Sequence, residues 1–215
     1  MIASDFNSVR TWVFDLDNTL YPPHMRLFDQ IEEKMAAWII DLLKVDRSKA
    51  DQLRTRYWRD HGTTLAGLML EHEMAPEQFL RDVHDIDFSV LTPDPDLRAH
   101  IANLPGRKII YTNGTAPYAR RVAAARGLDG LFDAVYGIEH ANYRPKPDAA
   151  AFKQVFAIDG LDGNIAAMFE DEARNLAYPH SIGMQTVHVA KTRDPGQFIS
   201  HHTEDLSSFL QQVLG

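Results

Sequence analysis

The sequence predicts an α/β protein whose parallel sheet is interrupted by an inserted bundle of helices. Five short apolar runs lack the alternation of a half-exposed strand, which is typical of strands buried on both faces of a parallel sheet. These runs are 11–14, 108–111, 134–138, 166–169 and 186–189. Helix-like segments separate the later runs, and strands that alternate with helices favour a parallel sheet. The interval from Leu20 to Leu91 breaks this order, because it has helical periodicity and no strand pattern.

Length and composition agree with one folded domain that carries an insertion. The chain has 215 residues, of which 45% are hydrophobic, so it is too apolar to be a disordered chain. At ~150 residues per domain, the length suggests one domain with a substantial insertion. A chain of this size buries roughly 70% of the surface of its unfolded state, so its core needs no covalent cross-links.

Charge and cysteine usage exclude several kinds of partner and site. Lys and Arg number 22 against 30 Asp and Glu, a formal net charge of −8, which argues against binding nucleic acid or an anionic membrane. The absence of cysteine excludes disulfides, thiolate zinc sites and a cysteine nucleophile. Residues 1–10 lack an apolar leader, and the most apolar helical stretch, 35–43, is too short to span a bilayer. We therefore expect a cytoplasmic protein without a membrane partner.

The first apolar run is followed by the inserted helices, which we assign to residues 21–91. Apolar side chains recur at steps of three and four residues, which predicts one buried helix face. This face consists of Phe28, Ile31, Met35, Trp38 and Leu42. One crossover rarely needs about seventy residues, so a helical cap is favoured over an ordinary crossover. The turn-forming run 92–95 marks the return to the sheet, which leaves 1–20 and 92–215 as the core domain.

Polar residues follow the predicted strands at the points where the strands end. The carboxyl ends of parallel strands meet at one edge of the sheet, where ligands bind. This edge collects Asp15 and Asp17 after the first strand, Thr112, Asn113 and Gly114 after the second, Lys146 in the loop after the third, and Glu170 and Asp171 after the fourth. Each motif taken singly is more often a turn or a helix start. The occurrence of all four motifs in this order, each after a predicted strand, favours a catalytic site.

The residue types at this edge suit a magnesium ion and a phosphate. Carboxylates packed closely repel one another and need a cation, and oxygen ligands without histidine or cysteine suit Mg²⁺. Asp15 and Asp17 share one face of the strand end, so one can attack phosphorus while the other protonates the leaving group. Thr112 and the backbone amides at 113–114 can bind a phosphoryl oxygen, and Lys146 can neutralise charge.

These four segments resemble the motifs of the haloacid dehalogenase-like hydrolase superfamily. Residues 14–20, Phe-Asp-Leu-Asp-Asn-Thr-Leu, are similar to its first motif, Asp-x-Asp-x-Thr. Residues 111–114 resemble the second motif, 146–147 the third and 170–171 the acidic fourth. The resemblance covers nearly the whole chain. It implies a Rossmann-like core with a helical cap of the C1 type inserted after the first motif.

The resemblance also implies a role for residues of the site. Asp15 would be the nucleophile that forms an aspartyl-phosphate, and Asp17 would be the general acid and base, with its backbone carbonyl on Mg²⁺. Asp171 would be a direct metal ligand, and Glu170 a second one. Dehalogenases of the superfamily usually lack an acid at the position of Asp17 and need no metal. Its presence therefore favours phosphoryl transfer over dehalogenation.

Two shorter segments resemble the pyrimidine 5′-nucleotidase branch of the superfamily. They are 17–22, Asp-Asn-Thr-Leu-Tyr-Pro, and 61–68 in the cap, His-Gly-Thr-Thr-Leu-Ala-Gly-Leu. The chain departs from the branch at position 61, where Tyr is usual, and at 170–172, where Glu-Asp-Glu replaces the more common Asp-Asp-Ser. The implied substrate is a small phosphorylated metabolite, a nucleoside 5′-monophosphate. A sugar-phosphate phosphatase, a phosphomutase and a non-enzymatic metal-binding module are the alternatives.

Residues near the first motif and in the cap segment are the candidates for substrate contact. These candidates are Tyr21, His24, His61, Thr63 and Thr64, together with Asn113 and Gly114 at the second motif. Tyr57, Trp58 and Arg59 could stack on a base or a sugar, but packing within the helices is the favoured expectation for them. His201 and His202 are expected to lie in a solvated loop. The sequence indicates no oligomeric state.

Overall fold

The computed structural model describes residues 2–215, and a six-stranded parallel sheet lies at its centre. The strands are β1 (Thr11–Phe14), β2 (Arg107–Tyr111), β3 (Ala134–Tyr136), β4 (Ala166–Glu170), β5 (Gln185–Val189) and β6 (His201–Thr203). They stand in the order β3-β2-β1-β4-β5-β6, and each adjacent pair runs parallel. This sheet, with helices packed around it, confirms the predicted α/β class.

Ten α-helices accompany the sheet in the described part of the chain. They are α1 (Ile2–Asp5), α2 (Leu27–Leu43), α3 (Arg47–His61), α4 (Thr64–His72), α5 (Pro76–Val83), α6 (Pro95–Asn103), α7 (Ala116–Ala125), α8 (Ala149–Asp159), α9 (Ala177–Ser181) and α10 (Leu206–Leu214). Side-chain caps stabilise the N-termini of several helices. Before α3, for example, Asp46 Oδ1 accepts from Lys49 N at 2.8 Å. No helix within residues 2–215 has the length and apolar composition that crossing a bilayer requires.

Alternate side chains of β1 pack on opposite faces of the sheet. All four residues of the strand are buried. Trp12 and Phe14 belong to one apolar cluster, and Val13 belongs to the other. Phe14 stacks on Phe169 of β4 with the ring centroids 4.9 Å apart. Because both faces are covered, the strand is a continuous apolar run in the sequence.

The sixth strand corrects one expectation from the sequence. His201 and His202 lie in β6, which pairs with β5, and they do not form a solvated loop. Their side chains are half-buried. A short polar strand at the edge of a sheet has no apolar run to mark it, which is why the prediction was wrong.

Helices α2 to α5 lie between β1 and β2, in the segment that the sequence assigns to the cap. The predicted buried face of α2 is wrong at its end, because Leu42 is 40% exposed. Phe28, Ile31 and Met35 from this face line a cavity instead of packing only on other helices. The fully buried residues of the helix are Leu27, Ile31, Ala36 and Ile39. The division of the chain at residues 20 and 92 stays a prediction.

Helices α3 and α4 approach closely at Gly67. A Cβ atom at this position would lie 2.3 Å from the ring of Tyr57, so a larger residue would force the helices apart. Tyr57 is buried, and its hydroxyl lies 2.7 Å from His72 Nε2. The expectation that Tyr57 packs within the helices is therefore confirmed.

Candidate active site

The carboxyl ends of β1, β2 and β4 bring the polar residues of the sequence motifs to one edge of the sheet. These strands are neighbours, with β1 in the middle. Asp15 continues β1 by one step, because its amide donates to the carbonyl of Phe169 at 2.9 Å. Thr112 continues β2 in the same way, since its amide donates to the carbonyl of Tyr136 at 3.0 Å. The backbone of both residues is therefore held in place by hydrogen bonds to neighbouring strands.

Lys146 is buried between two carboxylates. Its Nζ donates to Asp15 Oδ1 at 2.6 Å, to Glu170 Oε2 at 2.5 Å and to the carbonyl of Tyr111 at 3.1 Å. Burial alone would lower the pKa of Lys146, but Asp15 and Glu170 raise it well above its ordinary value. The ammonium therefore stays charged and neutralises the carboxylates on either side.

The residues of the second motif hold the lysine loop and each other. Asn113 Oδ1 accepts from the amide of Lys146 at 2.8 Å, and its Nδ2 donates to the carbonyl of Lys146 at 3.3 Å. Thr112 Oγ1 accepts from the amide of Gly114 at 2.9 Å. The Asn113 side chain and the Gly114 amide are thus engaged within the protein. The hydroxyl hydrogen of Thr112 remains to bind a phosphoryl oxygen.

Three carboxylates form a cluster beside Lys146. One oxygen each from Asp15, Glu170 and Asp171 lie within 4.8 Å of one another. Burial, and then the charge of Glu170, raises the pKa of Asp15 to about 7. The same two causes raise the pKa of Asp171 well above its ordinary value. The three carboxylates are a donor set that fits Mg²⁺, because its charge compensates theirs and it prefers oxygen ligands.

Asp17 is held by two tyrosine hydroxyls. Tyr21 and Tyr118 both donate to Asp17 Oδ1, at 2.7 and 2.6 Å. Both tyrosines are buried, and His84 stacks on Tyr118 with ring centroids 4.2 Å apart. Burial, and then the charge of Asp15, raises the pKa of Asp17 to about 6. Because both hydroxyls use Oδ1, their hydrogen bonds leave Oδ2 for a substrate.

A cavity of about 370 Å³ lies over this edge of the sheet and reaches the inserted helices. Thr63 and Thr64 line it, as expected of substrate-contacting residues. Tyr21, His24 and His61 are not among the lining residues. Tyr21 is buried and donates to Asp17, His24 is exposed in the short 3₁₀ helix Pro23–Met25, and His61 Nε2 lies 2.9 Å from Glu71 Oε1. Their positions do not support these three as substrate contacts.

Several cavity residues were not singled out by any sequence pattern. They are Glu32, Arg54, Thr55, His84, Arg174 and Asn175, whereas Asn18 and Glu172, which also line the cavity, stand within the motif segments. Trp58 was expected to pack among helices, but it lines the cavity and is 46% exposed. The Arg174 guanidinium lies 4.2 Å from the centre of its ring. No local signal marks these side chains, because they meet only when the inserted helices and the segment after β4 pack around the strand ends.

Two further residues hold Asp171 in place. Asn18 Nδ2 donates to Asp171 Oδ2 at 3.3 Å, and His188 Nε2 lies 2.9 Å from the backbone carbonyl of Asp171. His188 is buried on β5, next to β4 in the sheet. Groups that orient a metal ligand in this way are a common part of metal sites.

A family model and a curated relative both match the sequence of this chain. The haloacid dehalogenase-like hydrolase family model matches residues 9–179. Phosphate metabolism protein 8 of Saccharomyces cerevisiae is 27% identical over 233 aligned positions, which cover 95% of this chain and 70% of the yeast protein. The matched family segment contains every strand-end motif of the site.

Solved structures of similar fold include both phosphatases and dehalogenases. A HAD phosphatase from Thermococcus onnurineus has a TM-score of 0.64 at 17% identity, over 96% of this chain and 98% of that one. The HAD hydrolase YfnB of Bacillus subtilis, bound to magnesium, has a TM-score of 0.62 at 16% identity, over 95% and 98%. The L-2-haloacid dehalogenase of Xanthobacter autotrophicus has a TM-score of 0.55 at 17% identity, over 96% and 99%. With the family match over most of its length, the chain belongs to the haloacid dehalogenase-like hydrolases.

Proposed function

We propose that this hydrolase is a Mg²⁺-dependent phosphomonoesterase that acts on nucleoside 5′-monophosphates through an aspartyl-phosphate on Asp15. One observation carries the choice of phosphate over halide chemistry. Asp17 places a carboxyl group in the same cavity as Asp15, with Oδ1 held by two tyrosine hydroxyls. An ester oxygen needs a proton as it leaves, whereas a halide does not.

The proposed reaction has two steps. In the first, an Asp15 oxygen forms a bond to phosphorus, the ester P–O bond breaks, and the proton of Asp17 passes to the leaving oxygen. In the second, ionised Asp17 takes a proton from water, and the water oxygen displaces Asp15 from phosphorus. Inorganic phosphate leaves and both carboxyl groups return to their starting state. Lys146 neutralises charge on Asp15 throughout.

The metal in this proposal would be held by Asp15, Asp171 and Glu170, with the backbone carbonyl of Asp17 added by the family resemblance. Bound Mg²⁺ would supply positive charge against the phosphate. The donor set is all oxygen, and the carboxylates lie close enough to share one ion. Glu170 also accepts from Lys146 and from the amide of Glu172, so it is the most constrained of the three.

Three observations support a nucleotide as the substrate. Segments 17–22 and 61–68 resemble the pyrimidine nucleotidase branch. The cavity volume of about 370 Å³ lies within the range of small-molecule sites, ~300–1,000 Å³. Apolar side chains from α2 and α5, such as Phe28 and Phe79, line the part beyond the carboxylates and suit a flat base. The name of the yeast relative supports phosphate chemistry.

A substrate panel tests the proposal. Purified protein with Mg²⁺ is assayed for phosphate release from uridine, cytidine and adenosine 5′-monophosphates, ribose 5-phosphate, glucose 6-phosphate and p-nitrophenyl phosphate. We expect the highest kcat/KM for a nucleotide. A clear preference for sugar phosphates would replace the nucleotidase assignment. Isomerised sugar phosphate without phosphate release would indicate a phosphomutase, and no turnover at all would indicate a non-enzymatic module.

Asp171→Asn is expected to weaken the response to Mg²⁺. Loss of a ligand charge should raise the Mg²⁺ concentration for half-maximal activity by roughly 10–100-fold, and chelation should abolish the wild-type activity. The measurement is phosphate release across a Mg²⁺ titration, and Asp162→Asn, a carboxylate outside the cavity, is the control. An unchanged titration curve for Asp171→Asn would remove this residue from the metal site.

Mg²⁺ should also stabilise the folded protein in a pH-dependent way. The folded-state pKa values of Asp15, about 7, and Asp17, about 6, exceed the ordinary value of ~4. Between about pH 4 and pH 7, the metal-free folded protein therefore binds more protons than the unfolded chain and loses stability as pH rises. Mg²⁺ binding takes the place of the proton on Asp15, which is a proposed ligand. Calorimetry should show a larger rise in Tm with Mg²⁺ at about pH 8 than at about pH 5.

Tyr118→Phe is expected to act through Asp17. Without one of its two hydrogen bonds, the Asp17 carboxyl is less well placed to give its proton, so kcat for alkyl phosphates should fall about 10-fold. p-Nitrophenyl phosphate needs no such proton and should be affected much less. Tyr136→Phe serves as the control, because it removes a tyrosine–carboxylate hydrogen bond, to Asp159, outside the cavity. Equal losses on both esters would show that Tyr118 does not position Asp17.

A further inference from the structure

The inserted helices place one ion pair in the apolar part of the active-site cavity. Glu32 on α2 and Arg54 on α3 both line the cavity, with Arg54 Nη1 2.7 Å from Glu32 Oε1. The neighbouring lining residues are apolar: Phe28, Ile31 and Met35 from α2, with Phe79 and Val83 from α5. Among the lining residues of α2, α3 and α5, this pair supplies the two charges, beside these apolar side chains and the hydroxyl of Thr55.

Arg54 has hydrogen-bonding capacity that the protein does not use. A guanidinium carries five N–H donors. Within residues 2–215, Glu32 and Asp51 are the carboxylates within 4 Å of it, and Asp51 Oδ1 is 3.9 Å from Nε, beyond hydrogen-bond range. Nε is buried and has no acceptor among the described residues, although the side chain as a whole is 19% exposed. Arg54 lines the cavity, and its Nη1 is the nitrogen that lies within hydrogen-bond range of Glu32, so other guanidinium donors remain for an acceptor on a ligand.

The pairing of the two charges determines what kind of group fits. Arg54 offers donors, and Glu32, whose side chain is 44% exposed, offers an acceptor beside them. A neutral edge with a donor next to an acceptor matches such a pair, and the edges of nucleobases have this pattern. A second anionic group would meet the negative charge of Glu32 and is disfavoured.

We propose that the Glu32–Arg54 pair is the base-reading element of this hydrolase and binds the donor–acceptor edge of a nucleobase while the phosphate lies at Asp15. The inference rests on the proposed function, since it names the part of the nucleotide that the cap recognises. Asp15 and Arg54 line the same cavity, and the proposal is that a nucleotide contacts both. Apolar side chains that line this cavity would cover the faces of the base.

The test compares a nucleotide with the same molecule lacking its base. The quantity measured is the ratio of kcat/KM for uridine 5′-monophosphate to kcat/KM for ribose 5-phosphate. Arg54→Met should lower this ratio by roughly 10–100-fold, which is the discrimination that a two-point contact to a base edge provides. Arg54→Lys keeps the charge but loses the planar fork, and should lower the ratio by a smaller factor.

Arg47→Met is the matched control on the same helix. Arg47 also pairs with a glutamate of α2, because its Nη1 lies 2.6 Å from Glu33 Oε2, but it does not line the cavity. The ratio should stay at the wild-type value in this variant. An equal fall in Arg47→Met and Arg54→Met, or no fall in either, would overturn the proposal. Preference of the wild type for phosphoglycolate, lost in Arg54→Met, would overturn it too, because the pair would then bind an anion.

A binding measurement separates failure of this inference from failure of the proposed function. Titration calorimetry with a metal chelator present, where we expect no turnover, compares uridine 5′-monophosphate with ribose 5-phosphate on the wild type and on Arg54→Met. We expect tighter binding of the nucleotide to the wild type and a smaller difference in the variant. If no ester is hydrolysed but this difference is found, the base-reading element stands and the phosphatase assignment fails. Equal affinities for the two ligands would reject the base-reading element.

Discussion

Asparagine in place of Asp15 should reduce kcat for phosphate release by roughly 10⁴–10⁶-fold, the loss expected when a nucleophile is removed. Asparagine has nearly the same shape but cannot form the acyl-phosphate. The carboxylate lies at the end of the central strand with Oδ1 held by Lys146 at 2.6 Å. In the wild type, acid quench during turnover should show the peptide that contains Asp15 heavier by one phosphoryl group, and the variant should not.

The folding of the Asp15→Asn variant is checked by its unfolding free energy. Lys146 keeps Glu170 as a counter-ion at 2.5 Å, so the variant should remain folded. Removal of one buried carboxylate also relieves the repulsion that raises the pKa of Asp171. If the variant kept more than about a tenth of the wild-type kcat, Asp15 would not be the nucleophile.

Methionine in place of Lys146 should reduce both activity and stability. For activity, loss of the cation beside the nucleophile should slow turnover by roughly 10²–10³-fold. For stability, the change leaves Asp15 and Glu170 buried without their shared counter-ion. Breaking a buried ion pair from one side typically costs ~3–5 kcal/mol. Urea unfolding of the metal-free protein measures this loss, and Mg²⁺ should recover part of it by compensating the same carboxylates.

A double variant separates the two effects of Lys146. Lys146→Met with Glu170→Gln removes one buried negative charge along with the positive one, so its unfolding free energy should return toward the wild-type value. Activity should stay low, because the cation beside Asp15 is still missing. Wild-type stability of the single variant would show that Lys146 does not balance these carboxylates. Wild-type activity of either variant would exclude it from the reaction.

The central strands were predictable because burial on both faces makes their local sequence a continuous apolar run. β1 and β4 are covered on both faces, so nearly every residue in them is apolar, and this pattern needs no knowledge of distant contacts. β6 is a three-residue edge strand of sequence His-His-Thr. It forms only because β5 offers a partner, which is a property of the assembled sheet.

The residues at the strand ends could also be found from the sequence. Asp15 and Lys146 are 131 positions apart, yet their side chains meet at 2.6 Å. Parallel topology explains this, since every carboxyl end of a parallel strand is brought to the same edge. The contacts that hold Asp17 could not be inferred, because Tyr118 reaches it from a helix 101 positions away.

The inserted helices show what depends on tertiary structure alone. Tyr21 and His24 were selected for their nearness to the first motif, and His61 for its place in the cap segment. None of them lines the cavity, whereas Glu32 and Arg54 do. A helix turns by ~100° per residue, so proximity in sequence does not set the direction of a side chain.

By itself, the sequence determined the α/β class, the order of the motifs and the oxygen-rich chemistry at the strand ends. These features depend on local pattern and on a topology that parallel strands share. Only the tertiary structure decided which side chains of the inserted helices line the cavity and which residues hold Asp17. Those outcomes depend on how each helix is rotated about its axis against its neighbours. Because α2 has apolar residues on more than one side, its sequence does not determine that rotation.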